Sequence, residues 1–402
     1  MAITSEFIAK IEGHGSLKID WEKEIVKLHI HEGERLFEGI LVGRTAEEAH
    51  WITPRICGVC PIAHNLASLA AVEDAYDIEI TETPRLLRDL MMRGQMIQSH
   101  ILHLFFLALP DYLGIDRGTE LAQKDPDSFA KALALKELGD EIAYTIAGRN
   151  VHPTRTTIGG FHKIPSKEEL EKLLKKLEAT RRTSQWVADF CSKLDYPELK
   201  VDFELVAQEG GEILSSKKEK VPIKEYKINI QEELRESSTA KFGKFRNKEM
   251  MVGSLARLAL NGKREKYDID FENPFHNNIA QAIEVEKFHK EAIGIIDKLL
   301  HMDMVLEPFV PTLRVGDSPT RRVGLGAIEA PRGGLYHEIH LDENSVITYA
   351  NIITPTVQNL TSIEKSAQAL IDQTKDKEQK ERERLLNMLI RAYDPCITCS
   401  VH

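Results

Sequence analysis

Between residues 16 and 33, in SLKIDWEKEIVKLHIHEG, apolar residues occupy every second position. Leu17, Ile19 and Trp21 share one parity, and Val26, Leu28 and Ile30 share the other, around a charged turn. Alternation with period two turns one face of a strand to a core, so this stretch predicts a β-hairpin. After Pro61 the pattern becomes helical. Residues 62–76 and 84–109 are rich in Leu, Ala and Met, and further helical stretches run near 128–148, 166–194, 278–305 and 361–391. Thr83 before Pro84 has the residue types of an N-cap and first helical position, and Pro110 is the expected stop of that helix. Gly148 is the expected end of the next. The stretch 361–391 is charged on one face and runs straight toward the last two cysteines.

Elsewhere the periodicity fades. Residues 208–248 are polar, with Gly210-Gly211 and many lysines, which predicts surface loops and short strands. Residues 307–358 mix Pro, Gly and β-branched residues, which predicts irregular structure and short strands. No internal repeat, low-complexity tract or clear linker interrupts the chain. The expected fold is mainly α (α+β), a single domain over 1–402. It has a large central helical bundle, a small N-terminal β region over about 1–50, irregular β segments near 200–250 and 310–358, and a polar surface insertion at about 208–248.

Composition narrows the function classes. The chain has 402 residues, 42% of them hydrophobic, with 63 acidic against 53 basic side chains. The resulting net charge of −10 argues against general nucleic-acid binding, which needs a basic surface. The longest apolar run, ILHLFFLAL at 101–109, is too short to span a bilayer and contains His103. MAITSEFIAK lacks the regions of a secretory signal peptide, so a cytoplasmic location is expected.

Four of the five cysteines form two C-x-x-C pairs. Cys57 and Cys60 lie in RICGVCPIAH, and Cys396 and Cys399 in DPCITCSVH at the end of the chain. Cys191 stands alone and reads as a packed small hydrophobe. A disulfide scaffold does not suit a chain this long. Two facing C-x-x-C turns supply four thiolates at tetrahedral spacing, which fits a structural zinc, an iron–sulfur cluster or another thiophilic metal; two separate redox turns are the alternative. Other chemistry-bearing residues accompany them: Arg55 and His64 beside the first pair, Asp394 before the second, and EAPRGG at 329–334.

Together these motifs resemble the large subunit of a nickel–iron hydrogenase, most closely the cytosolic bidirectional members. RICGVCPIAH is similar to the family's upstream cysteine signature and DPCITCSVH to its downstream one. IEGHG at 11–15, RLFEGILVGR at 35–44, EAPRGG and TPTVQN at 354–359 resemble further family motifs, in family order along the whole chain. The resemblance implies reversible heterolytic oxidation of dihydrogen. It implies nickel bound by Cys57, Cys60, Cys396 and Cys399. Cys60 and Cys399 would also hold an iron that carries carbon monoxide and cyanide.

It implies roles around the metals as well. Arg332 would sit above them, with Pro355 and Thr356 as a further contact to cyanide. His64 would lie near the Cys60 sulfur, Asp394 would pair with Arg332, and Glu12 would take a proton from Cys399. Gly13 and Gly15 would let the backbone around Glu12 pass close to the site. Many family members carry an acid where this chain has Ser99, in QSH at 98–100; His100 and His103 beside it read as core or partner-contact residues. Glu38 and His402, with a backbone carbonyl near Ile347 or Thr348, would bind magnesium or another divalent ion. The expected partners are an iron–sulfur small subunit, a flavin- or nicotinamide-binding electron-carrier subunit and a maturation protease acting on a precursor, with the chain ending at His402 as the processed form. A zinc-stapled structural protein and a metal-free hydrogenase-like subunit of a respiratory complex are the rival readings.

Overall fold

The computed structural model describes residues 3–236, 238–260, 266–305 and 319–402. At the N-terminus three antiparallel strands follow one another, β1 (Ile3–Phe7), β2 (Gly15–Asp20) and β3 (Ile25–Ile30). The hairpin β2–β3 pairs Leu17 with Leu28 and Ile19 with Val26, so the alternating apolar positions share one buried face. The third strand, β1, pairs along the other edge of β2; ITSEF is too short to announce itself by alternation.

The helices follow the apolar pattern. They are α1 (Pro61–Tyr76), α2 (Glu82–Leu102), α3 (Pro126–Ala147), α4 (Lys167–Cys191), α5 (Asn277–His301), α6 (Pro355–Gln373) and α7 (Gln379–Ala392). Local chemistry sets several of the ends. Asp125 caps α3 by accepting from Ser128 N, and Gly148 ends it in a left-handed conformation. Ser166 and Glu169 form a reciprocal capping box on α4. Helices α2, α3, α4 and α5 pack together as the central bundle.

Four boundaries differ from expectation. Helix α2 begins at Glu82 with Thr81 as its N-cap, which puts Pro84 inside the first turn, where no N–H is needed. Pro110 does not stop it. A π-helical turn, His103–Ala108, widens the backbone ahead of the proline, and helix resumes over Leu109–Leu113 until Gly114. The helical stretch 361–391 is two helices, α6 and α7, separated by residues 374–378, which carry no apolar side chain to hold a turn to the core. Helix α6 also starts earlier, at Pro355, so TPTVQN opens a helix.

From residue 323 onward the segment expected to be irregular is an antiparallel sheet: β4 (Val323–Ala330), β5 (Gly333–Leu341) and β6 (Ile347–Ile353). Residues 306–318 of that segment lie outside the described residues. Helix α1 presses directly on β4: a Cβ at Gly324 or Gly326 would overlap the carbonyl oxygens of Ala71 and Ala67. Residues 204–251 contribute short strands and a short helical turn whose Ile213, Val221, Tyr226, Ile230 and Phe245 are buried with Tyr336 and Ile353. Among the described residues no helix is long and apolar enough to cross a membrane.

Two large apolar clusters make up most of the core. One gathers α1 to α5 and the sheet β4–β6; the other gathers the N-terminal sheet, α6 and α7. The four paired cysteines belong to the first, while Tyr393, Ile397 and Val401, their neighbours in the chain, belong to the second. Residues 393–401 therefore run along the seam between the two halves.

Candidate metal centre

The first cysteine turn is organised by its own backbone. Val59 N and Cys60 N both donate to Cys57 Sγ at 3.3 Å. Cys60 is the N-cap residue of α1 and Pro61 its first helical residue, a position that suits proline's fixed φ and missing N–H. Gln95, from α2, accepts from Ile62 N at 2.7 Å and covers another free amide of that helix start.

The second turn is organised by other segments. After α7 the backbone turns through Asp394, at a left-handed φ of 51°, into Pro395 and Cys396. Cys396 N donates to Thr356 Oγ1 at 2.9 Å, in the first turn of α6. The loop carrying Glu12 lies alongside: Ile397 N donates to Glu12 O at 2.9 Å, and Thr398 N to Glu12 Oε2 at 3.1 Å. Gly13 makes that approach possible. It has φ +82°, and a Cβ there would meet Ile397 Cβ at 2.7 Å and Thr398 N at 2.8 Å. Gly15, paired with it in the expectation, is under no comparable constraint.

The four sulfurs converge and all are buried. Cys57 faces Cys396 at 3.4 Å, Cys60 faces Cys399 at 3.4 Å, and Cys396 and Cys399 are 3.0 Å apart. All four thiols are free and lie within 4.8 Å of one another. They share protons unequally. Burial opposes the ionisation of Cys57, but donation from Cys396, Cys399 and Cys60 outweighs it and holds that thiol well below its ordinary value. Burial pushes Cys396 and Cys399 well above theirs. A buried, all-sulfur donor set of this kind fits soft metals such as nickel and low-spin iron, and does not suit magnesium or calcium.

Arg332, on the turn between β4 and β5, reaches the cluster from the sheet side. Its Nε donates to Asp394 O and its Nη2 to Asp394 Oδ1, both at 2.7 Å, and Nη1 lies 3.3 Å from Ser99 Oγ. Burial works against its charge, but Asp394 and the cysteine sulfurs outweigh burial and hold the guanidinium protonated. Arg55 takes no part: it is exposed and donates to Trp51 O.

Two expected pairings differ. The thiol that meets Glu12 is Cys396, at 3.0 Å from Oε2, and not Cys399, because the Glu12 loop runs parallel to the chain at Cys396. Burial first, then the nearby Cys57, raises the Glu12 carboxyl above its ordinary value. His64 approaches Cys399, with Nε2 3.7 Å from its Sγ, rather than Cys60, one turn back on its own helix. Its Nδ1 meets His337 Nε2 at 3.1 Å, and His337 Nδ1 meets Ser68 Oγ at 3.0 Å.

A second polar site lies at the end of the chain. His402 Nδ1 is 2.7 Å from Cys399 O, and its Nε2 is 2.7 Å from Ile352 O and 3.8 Å from Glu38 Oε1. The backbone carbonyl at this site is thus that of Ile352, not Ile347 or Thr348; Ile352 N also donates to Glu38 Oε1 at 2.7 Å. Glu232 Oε1 is buried nearby without a hydrogen-bond partner, and Lys241 Nζ lies 3.1 Å from the same carboxylate. An imidazole nitrogen facing a carbonyl beside an unsatisfied carboxylate oxygen fits a hard cation held by N and O donors.

Sequence reasoning missed Arg35. Its guanidinium donates to Ile56 O at 2.6 Å and to Thr398 O, and its backbone N donates to Val401 O at 3.1 Å, so one residue holds both cysteine turns. It lies in RLFEGILVGR, but nothing in that segment's pattern marks a bond to a distant carbonyl.

The nickel-dependent hydrogenase family profile matches residues 35–136 and 209–402. Sulfhydrogenase 1 subunit alpha of Pyrococcus furiosus is 34% identical, with 100% of this chain and 98% of that protein aligned. The NAD-reducing hydrogenase HoxS subunit beta of Cupriavidus necator is 26% identical over 98% of this chain and 93% of its own. A solved NAD+-reducing [NiFe]-hydrogenase in the H2-reduced state shares the fold with a TM-score of 0.85, 24% identity and complete coverage of both chains.

Proposed function

The chain belongs to the nickel-dependent hydrogenase family and is a hydrogenase large subunit; from that premise we propose how its residues divide the work. Cys57, Cys60, Cys396 and Cys399 hold nickel, and the facing pair Cys60 and Cys399 also holds an iron with carbon monoxide and cyanide ligands. When bound, such a centre supplies the heterolytic cleavage of dihydrogen.

The chain's own residues then handle charge and protons. Glu12 accepts the proton at Oε2 from the sulfur of Cys396. Burial suits it to this work, since it keeps water out and brings the carboxyl closer to the proton affinity it must match. Arg332, fixed by Asp394 and Ser99, presents a permanent positive charge beside the sulfurs and donors for cyanide. Thr356 accepts from Cys396 N, which leaves its hydroxyl hydrogen free to donate, with Pro355 setting the start of that helix. His64 orients toward Cys399. Glu38, His402 and the Ile352 carbonyl hold magnesium or another divalent ion that pins the end of the chain.

The reading includes a single domain over 1–402, a cytoplasmic location, an iron–sulfur small subunit and an electron-carrier subunit that binds flavin or a nicotinamide. Hydrogenases named as NAD-reducing among the relatives support the last of these. The observation that carries the reading is the contact of Glu12 with one sulfur of a buried four-thiol cluster.

Glu12→Gln keeps the shape and hydrogen bonding but cannot carry a proton. In the metal-loaded complex it should keep nickel and iron while deuterium–proton exchange falls by orders of magnitude. Exchange at the parent rate would move the relay to another residue.

A further inference from the structure

Helix α2 passes into its π-helical turn at His103, and both ring nitrogens of that residue meet acceptors. Nε2 lies 2.7 Å from the carbonyl oxygen of Arg391, and Nδ1 lies 2.5 Å from Gln281 Oε1. A carbonyl only accepts, so Nε2 carries a proton. The Gln281 amide is not free to turn its nitrogen to the ring, because that nitrogen donates to Asp394 Oδ2 at 2.9 Å. The other oxygen of Asp394 accepts from the Arg332 guanidinium at 2.7 Å. Turning the amide over would press its oxygen against the carboxylate. With the amide so fixed, Nδ1 also faces an acceptor.

We propose that His103 is a buried imidazolium with both N–H groups donating, and that it is a positioning residue for Arg332. It fixes the Gln281 amide, the amide fixes the Asp394 carboxylate, and the carboxylate fixes the guanidinium beside the thiols.

The surroundings agree with this charge. His103 is 1% exposed, and a charge so buried persists only with a partner. Asp394 Oδ1 lies 4.0 Å from its Nε2. One carboxylate thus answers both Arg332 and His103, at a place where Ser99 supplies no second one. The positive charge left over faces the four sulfurs, whose metal-bound form is anionic.

His100, one turn earlier, makes the contrast. Its Nε2 meets Glu284 Oε2 at 3.0 Å while its Nδ1 has no hydrogen-bond partner, so one ring proton satisfies it. The other charged groups around His103 are already engaged. Glu284 is bonded by Arg257, and Arg391 turns its guanidinium to Asp111.

The inference rests on reading Arg332 as the group that acts at the thiols, so its test separates the two. Neutron diffraction from the metal-loaded complex at neutral pH reads the ring itself. An unperturbed imidazole is mostly uncharged there. Deuterium on both nitrogens of His103 is expected, and a bare nitrogen overturns the proposal.

In the same complex His103→Gln, with its metals retained, should shift the infrared bands of the metal's diatomic ligands. It should also lower kcat roughly tenfold or more, with KM for dihydrogen unchanged. Parent bands and parent kcat overturn the positioning role. If Arg332→Lys turns over normally while His103 carries two deuterons, the reading of Arg332 fails and the imidazolium stands.

Discussion

The two cysteine turns meet in one cluster but are held there by different means. The first is largely self-sufficient. Its amides point at its own sulfur, and the helix it begins sets its direction. The second borrows nearly every contact: Thr356 holds Cys396 N, the Glu12 loop holds Ile397 and Thr398, Arg332 holds Asp394, and Ile352 meets His402. A turn held by its own amides is in place once its helix forms. A turn held by several distant segments, Arg35 among them, is in place only when all of them have folded. The groups proposed to move protons and present charge cluster at the second turn, where neighbours from different elements can be brought to one point.

That contrast can be broken or sharpened by substitution. Arg332→Lys keeps the charge but loses the planar fork that reaches Asp394 twice. Turnover should fall by about 10²-fold, roughly 3 kcal/mol, with the metals retained. Steady-state rates alongside metal content check this, and unchanged turnover would make the arginine structural.

A smaller effect is expected from Thr356→Val, which leaves the buried amide of Cys396 without its acceptor. It should cost about 1–3 kcal/mol of stability, read as a lower unfolding midpoint. At the first turn the amides of Val59 and Cys60 bond to Cys57 Sγ within the turn, so no change in a distant side chain removes their acceptor.

The first turn's own weak point is acid. His50, on the short helix leading into that turn, is buried, and burial pulls its pKa from 6.5 to about 4. A depressed pKa means that the unfolded chain binds the proton more tightly. This contribution is therefore present above 6.5 and is lost as pH falls toward about 4. Unfolding midpoints measured across that range should decline, and His50→Phe should flatten the decline. An unchanged slope in the variant would mean that other groups carry it.

The same contrast explains what was legible in the sequence. The hairpin, most of the helices and both cysteine pairs are local patterns, repeating every two or three to four residues, and the structure contains them. The boundaries that failed were decided elsewhere. Pro110 reads as a stop until the π-helical turn before it is seen, and 361–391 reads as one helix because its break contains no glycine or proline. The side chains at the cluster were legible through their motifs, but their partners were not. That Glu12 meets Cys396, that Arg35 spans two carbonyls and that Gln281 links His103 to Asp394 depend on chain crossings with no sequence period. Bonds from a side chain to a remote backbone atom leave the least trace of all.

The central claim is that the two turns together hold a nickel–iron centre. Elemental analysis of the purified chain with its partners, combined with its infrared spectrum, tests it most directly. The account predicts about one nickel per chain, iron in excess of nickel because the iron–sulfur small subunit adds its own, and the bands of carbon monoxide and cyanide. Zinc alone in the four-thiol cluster, with no such bands, would contradict it.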